Sequence, residues 1–306
     1  MVLKPLGSMS DEAVKLQQRL REENTNFVDN IDMSDLRKSI DDECKLASEL
    51  AIKQFPCKIS YLNIGGVKTM QILPKNVIKG RQILYIFGGG FTTGSPFNDL
   101  VISAQIANYT KSTVFCPYYR LAPENPFPAA LDDVFKVAKQ LWSISDNPPL
   151  LMGESAGATL ALSLTHLLKK HKLNMPARMG LLSPASDFFT EGDSFIFNEN
   201  RDPILTLENV TAVSSIYAGN AKLDNPLLSP IFGSFDKTYP KTLMTSSTQD
   251  LFLSSCIRLA KIMREAEVDV ELRVWEGMWH VFEYYQEIPE STQSLKEISS
   301  FFEEAF

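Results

Sequence analysis

The chain has 306 residues, 44% of them apolar and 22% charged, values ordinary enough for a folded protein to exclude wholesale disorder. Its 30 basic and 37 acidic side chains leave a net charge of −7. That balance disfavours a nucleic-acid binder, which needs a basic face to displace counterions, and equally disfavours docking on an anionic membrane surface.

The four cysteines, Cys44, Cys57, Cys116 and Cys256, stand far apart with no Cys-x-x-Cys, and His166, His171 and His280 are the only histidines. No metal site is expected from them, and the cysteines read as free thiols of a reducing compartment. The first twenty residues turn charged within a dozen and hold no continuous apolar run, so they do not read as a signal peptide. No stretch reaches membrane-spanning length. A cytoplasmic protein without membrane insertion is expected, and the sequence leaves open whether it forms a homo-oligomer.

In chain order, residues 1–50 are charge-rich and lack strand-like runs. Val14, Leu16 and Leu20 mark one amphipathic helix and Leu36, Ile40, Leu46 and Leu50 a second, with Ser10 and Ser34 as expected N-caps. KISYLNI and KTMQIL flank Gly65-Gly66 and predict a β-hairpin. Short apolar runs then alternate with helical stretches: residues 83–87 before a glycine run, 112–119, 149–153, 177–183, 241–247 and 270–277. Unbroken apolar strands alternating with helices predict a largely parallel sheet covered on both faces. Residues 188–228 break this rhythm with charged turns and one predicted helix, LENVTAVSSIYAG. They read as an insertion that forms a lid with the N-terminal helices. The predicted segments are 1–50, 51–187, 188–228 and 229–306. A last amphipathic helix places Leu295, Ile298, Phe302 and Phe306 along one side.

Gly153-Glu154-Ser155-Ala156-Gly157 joins an apolar strand to an apolar helix, the setting of a nucleophile elbow. The tight turn lifts the serine clear of the backbone, and the helix N-terminus favours developing negative charge. A hydroxyl needs a base to become a nucleophile. His166 sits mid-helix in an apolar segment and reads as structural; His171 follows two lysines at that helix's end. His280 lies in a loop just after the last predicted strand, where parallel sheets present ligand-facing groups, and is favoured as the base. Asp250 follows the neighbouring strand and is preferred over Asp187 as the carboxylate that orients the imidazole, although it could instead cap the helix after it. Phe87-Gly88-Gly89-Gly90-Phe91 follows a strand and offers backbone amides for an oxyanion.

Together these residues resemble the hormone-sensitive lipase-like α/β-hydrolases, also called bacterial family IV esterases. FGGGFTTGS is similar to their His-Gly-Gly-Gly-Phe loop and GESAGA to their Gly-Asp-Ser-Ala-Gly elbow. YRLAPENPFPAALDD, RDPILT and PLLSPIFG resemble further family segments. The resemblance implies an α/β-hydrolase fold with a helical cap and a carboxylesterase that needs no cofactor and acts on short- to medium-chain acyl esters. It implies a triad of Ser155, Asp250 and His280, in family order, with Gly88, Gly89, Gly90 and Ala156 around the oxyanion hole. Phe87 departs from the family histidine, so the glycine loop must be braced differently or held more loosely. Glu154, Tyr118 and Ser254 each replace a family aspartate. A ligand-binding member without turnover, favoured by Phe87, and an amidase or formamidase are the alternatives. Phe91, Phe188, Phe189, Phe195, Phe197 and Trp279 are candidates either for an apolar substrate pocket or for the interior of the cap.

Overall fold

The computed structural model describes residues 9–23, 32–145 and 148–306; the remainder of the predicted 1–50 segment lies outside the described residues. Two helices come first, α1 (Asp11–Glu23) and α2 (Met33–Gln54), then the hairpin β1 (Cys57–Ile64) and β2 (Val67–Pro74). The chain continues through β3 (Gln82–Ile86), α3 (Leu100–Thr110), β4 (Thr113–Pro117), α4 (Ala129–Ile144), β5 (Leu150–Glu154), α5 (Ser155–Lys170) and β6 (Arg178–Leu182). Helices α6 (Asp193–Phe197) and α7 (Leu207–Ala218) follow, and then β7 (Lys241–Ser247), α8 (Leu253–Glu265), β8 (Val270–Trp275) and α9 (Pro289–Glu303).

The eight strands form one sheet in the order β1-β2-β4-β3-β5-β6-β7-β8. Pairing is antiparallel at β1–β2 and β2–β4 and parallel everywhere else. The hairpin is the one predicted, with Ile64 opposite Val67 across the two glycines. The central strands are buried along nearly their whole length because helices cover both faces, which is why they read as apolar runs rather than as alternating ones. Helix α5 is buried from Ala156 to Leu168. Two of its buried threonines bond to backbone carbonyls: Thr165 donates to Ala161 (2.7 Å) and Thr159 to Ala185 (2.7 Å). Among the described residues no helix is long and apolar enough to cross a membrane.

Three helix details differ from the sequence reading. Ser10 does cap α1, accepting from the Ala13 amide (3.0 Å). At α2 the cap is Asp32 rather than Ser34: its carboxylate accepts the Ser34 N–H (2.8 Å), and its charge suits the helix N-terminus. The inward face of α2 is built from Ala47, Ser48 and Ala51, small residues that let it lie close on α3, while Leu46 and Leu50 are exposed. At the other end, Leu295, Ile298 and Phe302 are buried as the pattern required. Phe306 lies beyond the last turn of α9 and is half exposed, with the Arg81 guanidinium 4.2 Å from its ring centre.

Candidate active site

The parallel strands all point the same way, so the loops that follow β3, β5, β7 and β8 gather along one edge of the sheet, the place where α/β proteins bind ligands. These loops carry the glycine run, Ser155, Asp250 and His280 respectively. The elbow at Ser155 has φ +49°, a strained left-handed turn that lets α5 begin immediately after β5. Two flanking glycines make the turn fit. A Cβ on Gly157 would lie 2.0 Å from the Ile86 carbonyl oxygen, and one on Gly153 would lie 2.5 Å from the Gly157 carbonyl oxygen. Any side chain at either position would push strand, helix and glycine loop apart.

The structure brings the three expected side chains together. His280 Nε2 lies 2.9 Å from Ser155 Oγ, and His280 Nδ1 lies 3.1 Å from Asp250 Oδ1. Asp250 is fully buried and also accepts from the Phe252 amide and from the Ser246 hydroxyl, each at 2.9 Å. Burial works to raise its carboxyl, but the His280 charge and the hydrogen bonds from His280 and the Phe252 amide bring it below the usual carboxylate range. Burial works to lower the imidazole of His280, and the charge and hydrogen bond of Asp250 outweigh that, so it sits above its ordinary value. The bonds at Nδ1 and Nε2 are those of an imidazole placed to take a proton from the serine while Asp250 holds its tautomer.

The competing residues are committed elsewhere. Asp187 forms an ion pair with Arg258 (2.8 Å). His166 donates from Nε2 to the Pro230 carbonyl (2.9 Å) while its Nδ1 meets the Tyr239 hydroxyl, and burial holds it below its usual pKa. His171 is an exposed residue ending α5.

Gly89 and Gly90 adopt φ +90° and +61°, and a Cβ on Gly89 would lie 2.4 Å from the Thr93 carbonyl oxygen. Glycine is therefore required at Gly89 both by conformation and by space. Ala156 sits in the first turn of α5, where amides lack intrahelical partners. Phe87 does not leave its loop unbraced. Its ring stacks on Tyr119 (centroids 4.2 Å apart, planes at 13°), whose hydroxyl donates to the carbonyls of Phe87 (2.9 Å) and Gly88 (3.2 Å). Tyr119, noticed in the sequence only as part of YRLAPE, thus supplies a brace where the family has a histidine. Arg37 of α2 adds a second one, donating to the carbonyls of Thr92 (2.7 Å) and Ala122 (2.8 Å).

The segment 188–228 also reaches the site. Asn198 donates to the Asp250 carbonyl (2.9 Å), Ser194 to the Leu251 carbonyl (2.7 Å), and Asp202 accepts the Leu251 amide (3.0 Å). Burial and the nearby Asp250 charge push the Asp202 carboxyl up to about 7. The sequence marks Asp202 only as part of RDPILT, and Ser194 and Asn198 carry no local signal. Ser254 exchanges hydrogen bonds with Ser194 (2.9 and 3.0 Å), tying α8 to α6.

Of the six aromatic candidates, Phe91 and Phe188 cluster with Tyr217, and the rings of Phe91 and Tyr217 stack at 3.8 Å. Phe195 packs edge-on to Phe252, which itself lies 5.2 Å from the His280 ring. The other three do otherwise. Phe189 contacts Phe232 near the surface and Phe197 is exposed, while Trp279 is fully buried among Ala13, Leu16, Met278 and Phe282 beneath α1.

A model of the α/β-hydrolase fold family matches residues 83–284. An esterase of Acinetobacter venetianus is 29% identical over 277 residues, spanning 89% of each chain. An acetyl-hydrolase of Streptomyces hygroscopicus is 27% identical over 225 residues, 72% of this chain and 75% of that one. The crystal structure of a hormone-sensitive lipase from a metagenome library is similar with a TM-score of 0.89 and 28% identity, over 97% of this chain and 99% of that one. The chain belongs to the α/β-hydrolase fold family, in its hormone-sensitive lipase-like branch.

Proposed function

We propose that the protein is a serine carboxylesterase that hydrolyses short- to medium-chain acyl esters through an acyl-enzyme. The observation that carries this reading is the unbroken path from Ser155 Oγ through His280 to a buried Asp250. The esterase and acetyl-hydrolase relatives support the same chemistry.

In the first half-reaction His280 Nε2 takes the Ser155 proton as Oγ attacks the ester carbonyl. The oxygen of the tetrahedral intermediate then faces the amides of Gly89, Gly90 and Ala156, donors that each stabilise it by about 3 kcal/mol when preorganised. The imidazolium returns the proton to the departing alkoxide. A water molecule deprotonated by the same nitrogen then attacks the acyl carbon, the acyl–Oγ bond breaks, and the imidazolium returns the proton to Ser155 Oγ as the acid leaves. Apart from the water, the chain's own residues supply every group in this reaction, so no cofactor is invoked. Helices α1 and α2, with residues 188–228, act as a cap over the site. The Phe91, Phe188 and Tyr217 cluster, together with Val213 against Gly90, limits the space above the glycine loop.

A fluorophosphonate probe should label the folded protein at Ser155, read by peptide mass spectrometry, and p-nitrophenyl acetate through hexanoate should be turned over. Folded protein that stays unlabelled at Ser155 would overturn the reading. In the same assay Tyr119→Phe, which removes the hydroxyl from the Phe87 and Gly88 carbonyls, should lower kcat by about tenfold, the cost of roughly one buried hydrogen bond, with KM little changed. An unaltered kcat would show that the ring stack alone holds the glycine loop.

A further inference from the structure

Directly beneath the glycine loop lies a pair of acids that the reaction above does not use. Glu154 ends β5, one residue before Ser155, and is buried. A Cβ on Gly88 would lie 2.0 Å from Glu154 Oε1 and 2.4 Å from Oε2, so the carboxyl group lies against the Gly88 backbone, whose amide bonds to it. On its other side Glu154 hydrogen-bonds the side chain of Asp99, the equally buried residue that precedes α3. Asp99 Oδ2 in turn accepts from the fully buried Tyr85 hydroxyl (2.8 Å). Two carboxylates repel; two carboxyl groups bond to each other only if a proton lies between them.

We propose that Asp99 and Glu154 work as a single acid that keeps a shared proton seated on Glu154, and that this proton holds the Gly88–Gly90 loop in register with Ser155. They are positioning residues and touch no substrate. The seat follows from the partners. Asp99 already receives the Tyr85 hydroxyl, whose own proton is held firmly by burial, so Asp99 is the acceptor and Glu154 the donor. The groups facing the pair from the surrounding elements are Cys44, Cys116, Tyr119, Tyr284 and the acid Glu283, and none of them offers a positive charge. Burial pushes both carboxyls up, Asp99 to about 7 and Glu154 well above its usual range. When alkaline solution removes the last proton, two anions in contact must separate. Glu154 has Gly88 against it, so the glycine loop moves and catalysis fails.

The activity arm of the test rests on the esterase reading; the spectroscopic arm does not. Infrared difference spectra of intact protein near neutral pH, wild type minus Glu154→Gln, should show the C=O stretch of a protonated carboxylic acid, since the amide replaces the group that carries the proton, whereas wild type minus Asp99→Asn should show the carboxylate stretch of its ionised partner. A folded variant of either kind suffices. In parallel, kcat on p-nitrophenyl butyrate, corrected for background hydrolysis, should fall about tenfold as alkaline pH removes the last proton of the pair in the wild type, and less than about twofold over the same range in E154Q, whose amide mimics the protonated acid permanently. No protonated-acid band in the Glu154→Gln difference spectrum, such a band lost with Asp99→Asn instead, or the same alkaline loss in E154Q, would overturn the proposal. The band without any ester turnover would uphold the shared proton and count against the proposed reaction instead.

Discussion

Replacing Ser155 with alanine should lower kcat on p-nitrophenyl butyrate about a millionfold, the scale seen when the nucleophile of a serine–histidine–aspartate unit is removed. The substitution deletes one oxygen atom from a residue whose φ of +49° alanine tolerates as well as serine does, so thermal unfolding should change little. Turnover would then fall to what the remaining amides and binding contacts supply. Progress curves at high enzyme concentration measure the difference. Equal rates in the two proteins would mean that Ser155 is not the nucleophile, and the fold would then be better read as a ligand-binding member of its family.

Replacing Asp250 with asparagine should cost about 10⁴ in kcat, or roughly 5.5 kcal/mol of transition-state stabilisation. An asparagine amide donating to His280 Nδ1 would fix the wrong tautomer. The proton would then sit on Nε2, facing Ser155, and the imidazole could not accept another. The pH profile offers a second check. The imidazole must be neutral to act as a base, and Asp250 holds its pKa above the ordinary value. In the wild type kcat/KM should therefore rise with pH at values above those of a free imidazole. In Asp250→Asn the negative charge is gone, so whatever activity remains should begin its rise at lower pH. An acid limb that does not move would show that Asp250 does not act on His280.

The strands and the loops they end in were legible because apolar runs and glycine clusters are local signals. Ser155, His280 and Asp250 each follow a strand directly, and topology alone carries such positions to one edge of the sheet. The contacts that support them were not legible. Tyr119 reaches the Phe87 carbonyl across 32 residues and Asn198 reaches the Asp250 carbonyl across 52, and nothing local marks either partner. Helix faces failed where packing overrode hydrophobicity. On α2 the close approach to α3 selects Ala47, Ser48 and Ala51, so the larger Leu46 and Leu50 turn outward. The role of Phe87 was half visible: the missing imidazole could be read from the sequence, but the stacked tyrosine that replaces its function could not.

Helix α1 is tied almost entirely to residues near the other end of the chain. Gln17 donates to the Gln249 side chain (3.0 Å) and the Gly277 carbonyl (3.3 Å), Arg21 reaches the Arg201 carbonyl (2.9 Å), and Ser10 meets Glu290 (2.9 Å). Gln249 and Gly277 flank Asp250 and His280, so α1 closes a circuit of some of the longest sequence separations in the molecule. During synthesis it precedes Gln249 and Gly277 by 232 and 260 residues, so this part of its seat cannot exist until they have been made. The loops bearing Asp250 and His280 therefore gain the backing of α1 only once a segment far along the chain has been made and meets it.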